Sequence, residues 1–166
     1  MEQVYLRSAA PAGSPRNTGG VEKHLLQAAE GGDADAQCNL GILYGNGIDD
    51  NGRAVAANKP QALRWLLAAA EQGLPRAQVQ LAEMYADGPD ISGSHTAACG
   101  WFLLAATGLR GIHLHRAEAG YERISLRLSP AQIAKATVFA CDQTVKYHKR
   151  AVELGSRQKH SGGQRP

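Results

Sequence analysis

Residues 25–47 read LLQAAEGGDADAQCNLGILYGNG, and 41 positions later residues 66–88 read LLAAAEQGLPRAQVQLAEMYADG. Leu25, Leu26, Ala28, Ala29, Glu30, Gly32, Ala36, Gln37, Leu40, Tyr44 and Gly47 return as Leu66, Leu67, Ala69, Ala70, Glu71, Gly73, Ala77, Gln78, Leu81, Tyr85 and Gly88. Self-similarity at this period is the mark of a solenoid, whose units cannot bury their apolar faces alone and do so against their neighbours. The expected fold is all-α: a right-handed α-solenoid of about two and a half helix-turn-helix repeats, closed by a long C-terminal capping helix.

Within the second unit, Lys59-Pro60 opens helix A, because proline fits a first helical turn. Ala62, Trp65, Leu66, Ala69 and Ala70 then fall at three- and four-residue spacing on one face. Gly73 ends the helix, Pro75 restarts the chain as helix B along Ala77, Leu81, Met84 and Tyr85, and Gly88-Pro89 stops it. Alanines let the paired helices approach, while leucines and rings fill the gaps between layers. Leu40, Tyr44, Trp65, Ala69, Ala77, Leu81, Tyr85 and Trp101 are the expected repeat core.

The third unit starts in the same way with Thr96, Ala97, Trp101, Phe102, Ala105 and Ala106, but its second half loses the pattern. Ser129-Pro130-Ala131-Gln132 is a capping box, which predicts one long helix to Leu154 ended by Gly155. Its inner stripe reads as Ile133, Ala136, Ala140, Cys141, Thr144, His148 and Val152, sealing the end of the stack. The units are thus 21–58, 59–93 and 94–128 with a cap over 129–155, between a disordered leader at 1–20 and a disordered basic tail at 156–166.

The pattern Ala62, Trp65, Ala69, Ala70, Gly73, Ala77, Leu81, Tyr85, Gly88, together with Gly45-Asn46-Gly47-Ile48 and a 36-residue step to Trp101, resembles the Sel-one-like repeat, a relative of the tetratricopeptide repeat. The resemblance covers residues 21–109 well, and 129–141 is similar to the closing helix of many bacterial members. His24 stands where that pattern has Trp, and Ala82 where it has Gly. The resemblance implies a scaffold or adaptor whose partner is a protein or peptide.

Composition narrows the remaining classes. The longest uncharged run, Cys99 to Leu109, is far below the roughly 20 residues a membrane helix needs. The first 20 residues carry an early glutamate and no apolar segment, so a cytoplasmic location is expected, or a periplasmic or secreted one if the N-terminus is incomplete. Three scattered cysteines, Cys38, Cys99 and Cys141, suit buried free thiols better than a disulfide framework. From Lys146 onward six Lys or Arg face Glu153 alone, a local +5 in a chain whose net charge is +3. Such a terminus can meet an anionic partner, but no aromatic platform accompanies it, which argues against nucleic acid.

No catalytic, metal or cofactor constellation emerges, and the chain reads as a monomeric non-enzyme with no cofactor. Asp49-Asp50-Asn51-Gly52 lacks calcium ligands at the required positions and reads as an Asx turn. Ser94-His95 beside Asp90 is adjacency without triad geometry. His113 and His115 would point about 160° apart on a helix and read as a polar hinge within the third unit. A penicillin-processing branch of the resembled family carries a cysteine pair in each repeat, and that pairing is absent here; hydrolase action stands as one alternative, electrostatic binding through the basic terminus as another.

In right-handed helical solenoids the A helices line the concave side. The expected partner surface is Lys23, Leu26, Gln27, Arg64, Leu67 and Ala68, continued by Leu103 and Thr107. Leu26, Leu67 and Leu103 occupy equivalent positions, and this row reads either as groove or as second-layer core.

Overall fold

The computed structural model describes residues 19–47, 57–88, 94–108 and 112–161. Seven helices follow one another: α1 (Gly19–Glu30), α2 (Ala34–Asn46), α3 (Lys59–Glu71), α4 (Pro75–Ala86), α5 (Ser94–Gly108), α6 (Ile112–Ser125) and α7 (Pro130–Ser161). The leader at 1–18, the Asp49–Gly52 turn and Asp90 lie outside the described residues.

Each helical hairpin closes by local chemistry. Gly32 and Gly73 take φ of 93° and 90°, a left-handed conformation open to glycine at little steric cost. There the chain doubles back, and the Asp33 and Leu74 N–H groups donate to the carbonyls of Ala28 and Ala69, at 3.1 and 3.3 Å. Side chains cap α2 and α3: Asp33 Oδ1 accepts from the Ala36 N–H at 2.7 Å, and Asn58 Oδ1 accepts from the Gln61 N–H at 3.1 Å; α4 starts on Pro75 without a side-chain cap. The expected capping box also forms, with the Gln132 side chain accepting from the Ser129 N–H at 2.9 Å and Ser129 Oγ accepting from the Gln132 N–H at 3.3 Å.

A recurring buried glutamine ties the first two hairpins together. Gln37 and Gln78, related by the 41-residue repeat, donate their side-chain amides to the carbonyls of Ala29 and Ala70, at 3.0 and 3.2 Å. Those carbonyls sit in the last turn of helix A, where no intrahelical donor remains for them. The corresponding position in the third unit is Leu114, so α6 lacks this link and with it the repeat signature.

Packing between units is carried by helix B of one and helix A of the next, α2 on α3 and α4 on α5. The main core runs without a break through Leu66, Leu81, Phe102, Ile124 and Ala136. A smaller cluster of Ala29, Ala36, Leu40 and Leu43 receives Trp65 and Tyr44, while Tyr85 packs on the main core and Trp101 lies within it. Helix approach depends on missing side-chain atoms. A Cβ on Gly41 would lie 2.6 Å from Leu66 Cγ and 3.1 Å from the Leu66 backbone nitrogen.

The long helix departs from expectation in three ways. It continues through Gly155 to Ser161, since a glycine that keeps right-handed geometry weakens a helix without ending it. It packs along α5 and not along α6, so it closes the stack over the helix-A side of unit three. Its buried stripe is also rotated: Ala136, Phe139, Ala140, Gln143 and Tyr147 turn inward, whereas Cys141, Thr144, His148 and Val152 are exposed. The buried-thiol expectation therefore holds for Cys38 and Cys99 and fails for Cys141.

Replacing Gly41 by Ala tests the close approach. Helix propensity alone would favour alanine by about 1 kcal/mol. The collision with Leu66, whose backbone cannot rotate away, is expected to reverse the sign and lower stability by about 1–3 kcal/mol. Urea unfolding followed by circular dichroism measures it, with helical content kept.

Candidate functional site

The expected partner surface maps onto the outward sides of α1, α3 and α5, and its members differ in exposure. Lys23, Gln27, Arg64 and Thr107 are exposed. Leu26, Leu67, Leu103 and Ala68 are half-buried; Leu26 packs against the smaller cluster and Leu67 and Leu103 against the main one. The three leucines thus contribute one edge to the core and present another outward. Arg64 lies with its guanidinium carbon 5.4 Å from the Trp65 ring centroid, a cation–π contact that holds the charge at the rim.

In unit three this surface is already occupied. By the 36-residue step, Gly100 is the counterpart of Arg64, which is itself the counterpart of Lys23. Phe139 of α7 seats there: a Cβ on Gly100 would fall 2.7 Å from its ring and 3.3 Å from the Ala136 carbonyl oxygen. The Phe139 ring meets Trp101 edge-on at 5.0 Å. Farther along, Leu104, Thr107, Thr144, Tyr147 and His148 surround a cavity of about 340 Å³.

Tyr147 anchors the far part of α7 on unit two. Its hydroxyl donates to the Ala70 carbonyl at 2.7 Å, and its ring lies 3.6 Å from where a Gly73 Cβ would stand. Burial, the largest influence, raises the phenol above its ordinary range, opposed by the hydrogen bond with Gln78. Beside it, Glu71, Gln143, Lys146, Lys149, Arg150 and Glu153 line a second cavity of about 460 Å³, open along α3. A third hollow, about 680 Å³, lies on the helix-B side, where Ile42, Leu63 and Met84 form an apolar floor and Arg116 grips Glu83 with two contacts of 2.7 and 2.6 Å.

The sequence drew no attention to Phe139, Tyr147 or Gly100. A signal was present: where units one and two carry Lys23 and Arg64, unit three carries a glycine, the residue that admits another helix. The Glu83–Arg116 bridge had no such signal, because its partners belong to different units.

Other flagged residues have structural places. His95 is buried with Nε2 3.2 Å from the Gly88 carbonyl oxygen. His113 and His115 fall on α6 and not in a hinge, because the helix begins at Ile112; His115 meets Glu118 at 3.5 Å. Among the described residues, no group of three or more His, Cys, Asp or Glu is placed to hold a metal ion, and no helix is long and apolar enough to cross a membrane. Burial raises the thiols of Cys38 and Cys99, against the contact of Cys38 with Arg76 at 3.5 Å. A nucleophilic thiolate needs the opposite shift.

Stacked helical hairpins with one outward side taken by a helix define an α-solenoid. The chain belongs to the Sel1 repeat family, whose sequence model matches residues 34–74 and 75–108. That frame pairs α2 with α3 and α4 with α5, the pairs that carry the packing between units. Sel1 repeats typically act as protein-interaction scaffolds. Among solved structures, a protective antigen of uropathogenic Escherichia coli with this repeat fold is 28% identical, with a TM-score of 0.64 over 87% of this chain. This chain spans 29% of the length of that protein. A Sel1 repeat protein from Oxalobacter formigenes is 30% identical, covering 69% of this chain and 96% of its own, with a TM-score of 0.45. No curated protein matches.

Two outcomes follow from the thiols and from Tyr147. In the native protein a disulfide reagent is expected to label Cys141 alone and fast, with Cys38 and Cys99 reacting only as the chain opens; Cys141→Ser should remove the fast phase. The raised phenol means that Tyr147 contributes its stability in full below pH of about 10, the ordinary tyrosine value, and loses it as pH rises through the higher folded value. Tyr147→Phe should cost about 1 kcal/mol at neutral pH and flatten the alkaline decline in thermal stability.

Proposed function

We propose that this protein is a non-catalytic adaptor that holds a helical segment of a protein partner on the concave side of units one and two, alongside α7. One observation carries the reading: α7 itself lies on that side of unit three, with Phe139 at Gly100, an arrangement in cis that supports a helix as the occupant of the same surface in units one and two. The equivalent positions of the first two units, Lys23 with Gln27 and Arg64 with Ala68, stand beside it with polar heads exposed and a half-buried leucine beneath.

Charge sets the kind of partner. Lys23 and Arg64 on the floor, with Lys146, Lys149 and Arg150 along the α7 wall, outweigh Glu71 and Glu153, which favours a segment with acidic residues on its contacting edge. The half-exposed edges of Leu26 and Leu67 supply apolar anchors, in the manner of a helix laid in a groove. Lys146, Lys149 and Arg150, half of the basic charge of the terminus, thus serve the same site.

The test is a double substitution, Lys23→Glu with Arg64→Glu, at exposed positions that leave the core untouched. Binding of the partner segment, titrated by fluorescence anisotropy, is expected to weaken at least about tenfold, equivalent to about 1.4 kcal/mol. Unchanged affinity in a folded double variant rules the concave surface out.

A further inference from the structure

The side of α7 that faces away from the stack carries its own ordered pattern. Val138, Val145 and Val152 recur every seven residues and are 61, 54 and 59% exposed, among the largest exposed apolar side chains of the described residues. Cys141 and His148 fall at the intervening positions, both exposed. This is the a and d spacing of a coiled-coil seam, with β-branched valine at a. It lies opposite the stripe of Ala136, Ala140, Gln143 and Tyr147 that docks on the protein's own body, and of the seam residues His148 alone also borders the cavity of about 340 Å³ beside α5.

We propose that this seam is a homodimer interface, in which two copies pair α7 against α7 in antiparallel orientation about a two-fold axis. The charges beside the seam select the occupant and the register. Next to the a positions stand Lys135, Asp142 and Lys149 at e, whereas the g positions Thr137 and Thr144 are neutral. An antiparallel pair brings e against e. When Val145 packs on His148 of the other copy, and Cys141 on Val152, each Asp142 meets a Lys149, and two identical salt bridges form across the axis. Sliding either way by one heptad sets like charges together, Asp142 against Asp142 with Lys135 against Lys149 in one direction and Lys149 against Lys149 in the other. A parallel pair opposes Thr137 to Asp142 and Thr144 to Lys149 and forms no ion pair. The surface is complementary to itself in one arrangement, and a dimer replaces the monomer expected from the sequence. Solvent-exposed ion pairs of this kind contribute little affinity, so their part is to choose the register while the valines supply the association.

This inference shares only Lys149 with the proposed partner site and otherwise uses the opposite face of α7, so Asp142→Lys tests it alone. Sedimentation equilibrium of the full chain is expected to show a concentration-dependent monomer–dimer equilibrium. Asp142→Lys and Lys149→Asp should each weaken it about tenfold or more, by placing like charges across the axis, and an equimolar mixture of the two variants should restore it as a heterodimer. Circular dichroism checks that each variant keeps its helices. Register is read by cross-linking with diamide as the two-electron oxidant. Val152→Cys should give a covalent dimer through Cys141 of the other copy, while the unaltered chain should not, because its two Cys141 residues lie about 16 Å apart along the seam. A chain that remains monomeric throughout, a mixture no tighter than either variant alone, or cross-linking of the unaltered chain through Cys141 would overturn the proposal.

Discussion

Helix backbones meet in this protein where one of them carries no side chain, and the rest of the architecture follows from those contacts. Gly41 lets α2 settle on Leu66 of α3, Gly120 lets α6 settle on the Phe102 ring of α5, and Gly100 lets α5 receive Phe139 of α7; an added Cβ would come within 2.4–2.7 Å at all three. A protein interior is packed densely enough that such a distance cannot be absorbed without moving a helix. The first two contacts build the stack. The third decides what becomes of its inner surface.

The same economy appears in the polar core. Two glutamines, one in each well-formed unit, donate to the alanine carbonyls that end helix A, and Tyr147 adds a further donor to the Ala70 carbonyl. Buried polar groups are stable only when hydrogen-bonded, so these links specify how each hairpin closes as well as adding to its stability. Where the glutamine gives way to Leu114, the hairpin of unit three relies on packing, and α5 is buried against α4, α6 and α7 together. The helix with the least conventional partner in its own unit is the one most enclosed by others.

Both proposals rest on how α7 divides its surfaces. Its inner stripe fills unit three and walls the remaining concave side, next to Lys146, Lys149 and Arg150. Its outer stripe offers a row of valines to the surroundings. A helix with apolar residues on two opposite faces must bury one and find a partner for the other, or leave it in water. This helix is therefore both the limit of the stack and the element through which the chain is most open to association.

Much of this was legible in the residues alone. The repeat at 41 positions, the proline and glycine punctuation around Lys59, Gly73 and Pro75, and the capping box at Ser129 determine the helices and their order, because caps and turns are set by neighbours within a few residues. The path of α7 was not legible. Ala136, Ala140, Gln143 and Tyr147 on one side, and Val138, Cys141, Val145 and Val152 on the other, both recur with helical spacing, so periodicity cannot say which side turns inward. Only the tertiary structure decides it, because the notch at Gly100 and the carbonyl of Ala70 lie more than thirty residues away in the chain, and their shape and hydrogen bonding fit Phe139 and Tyr147.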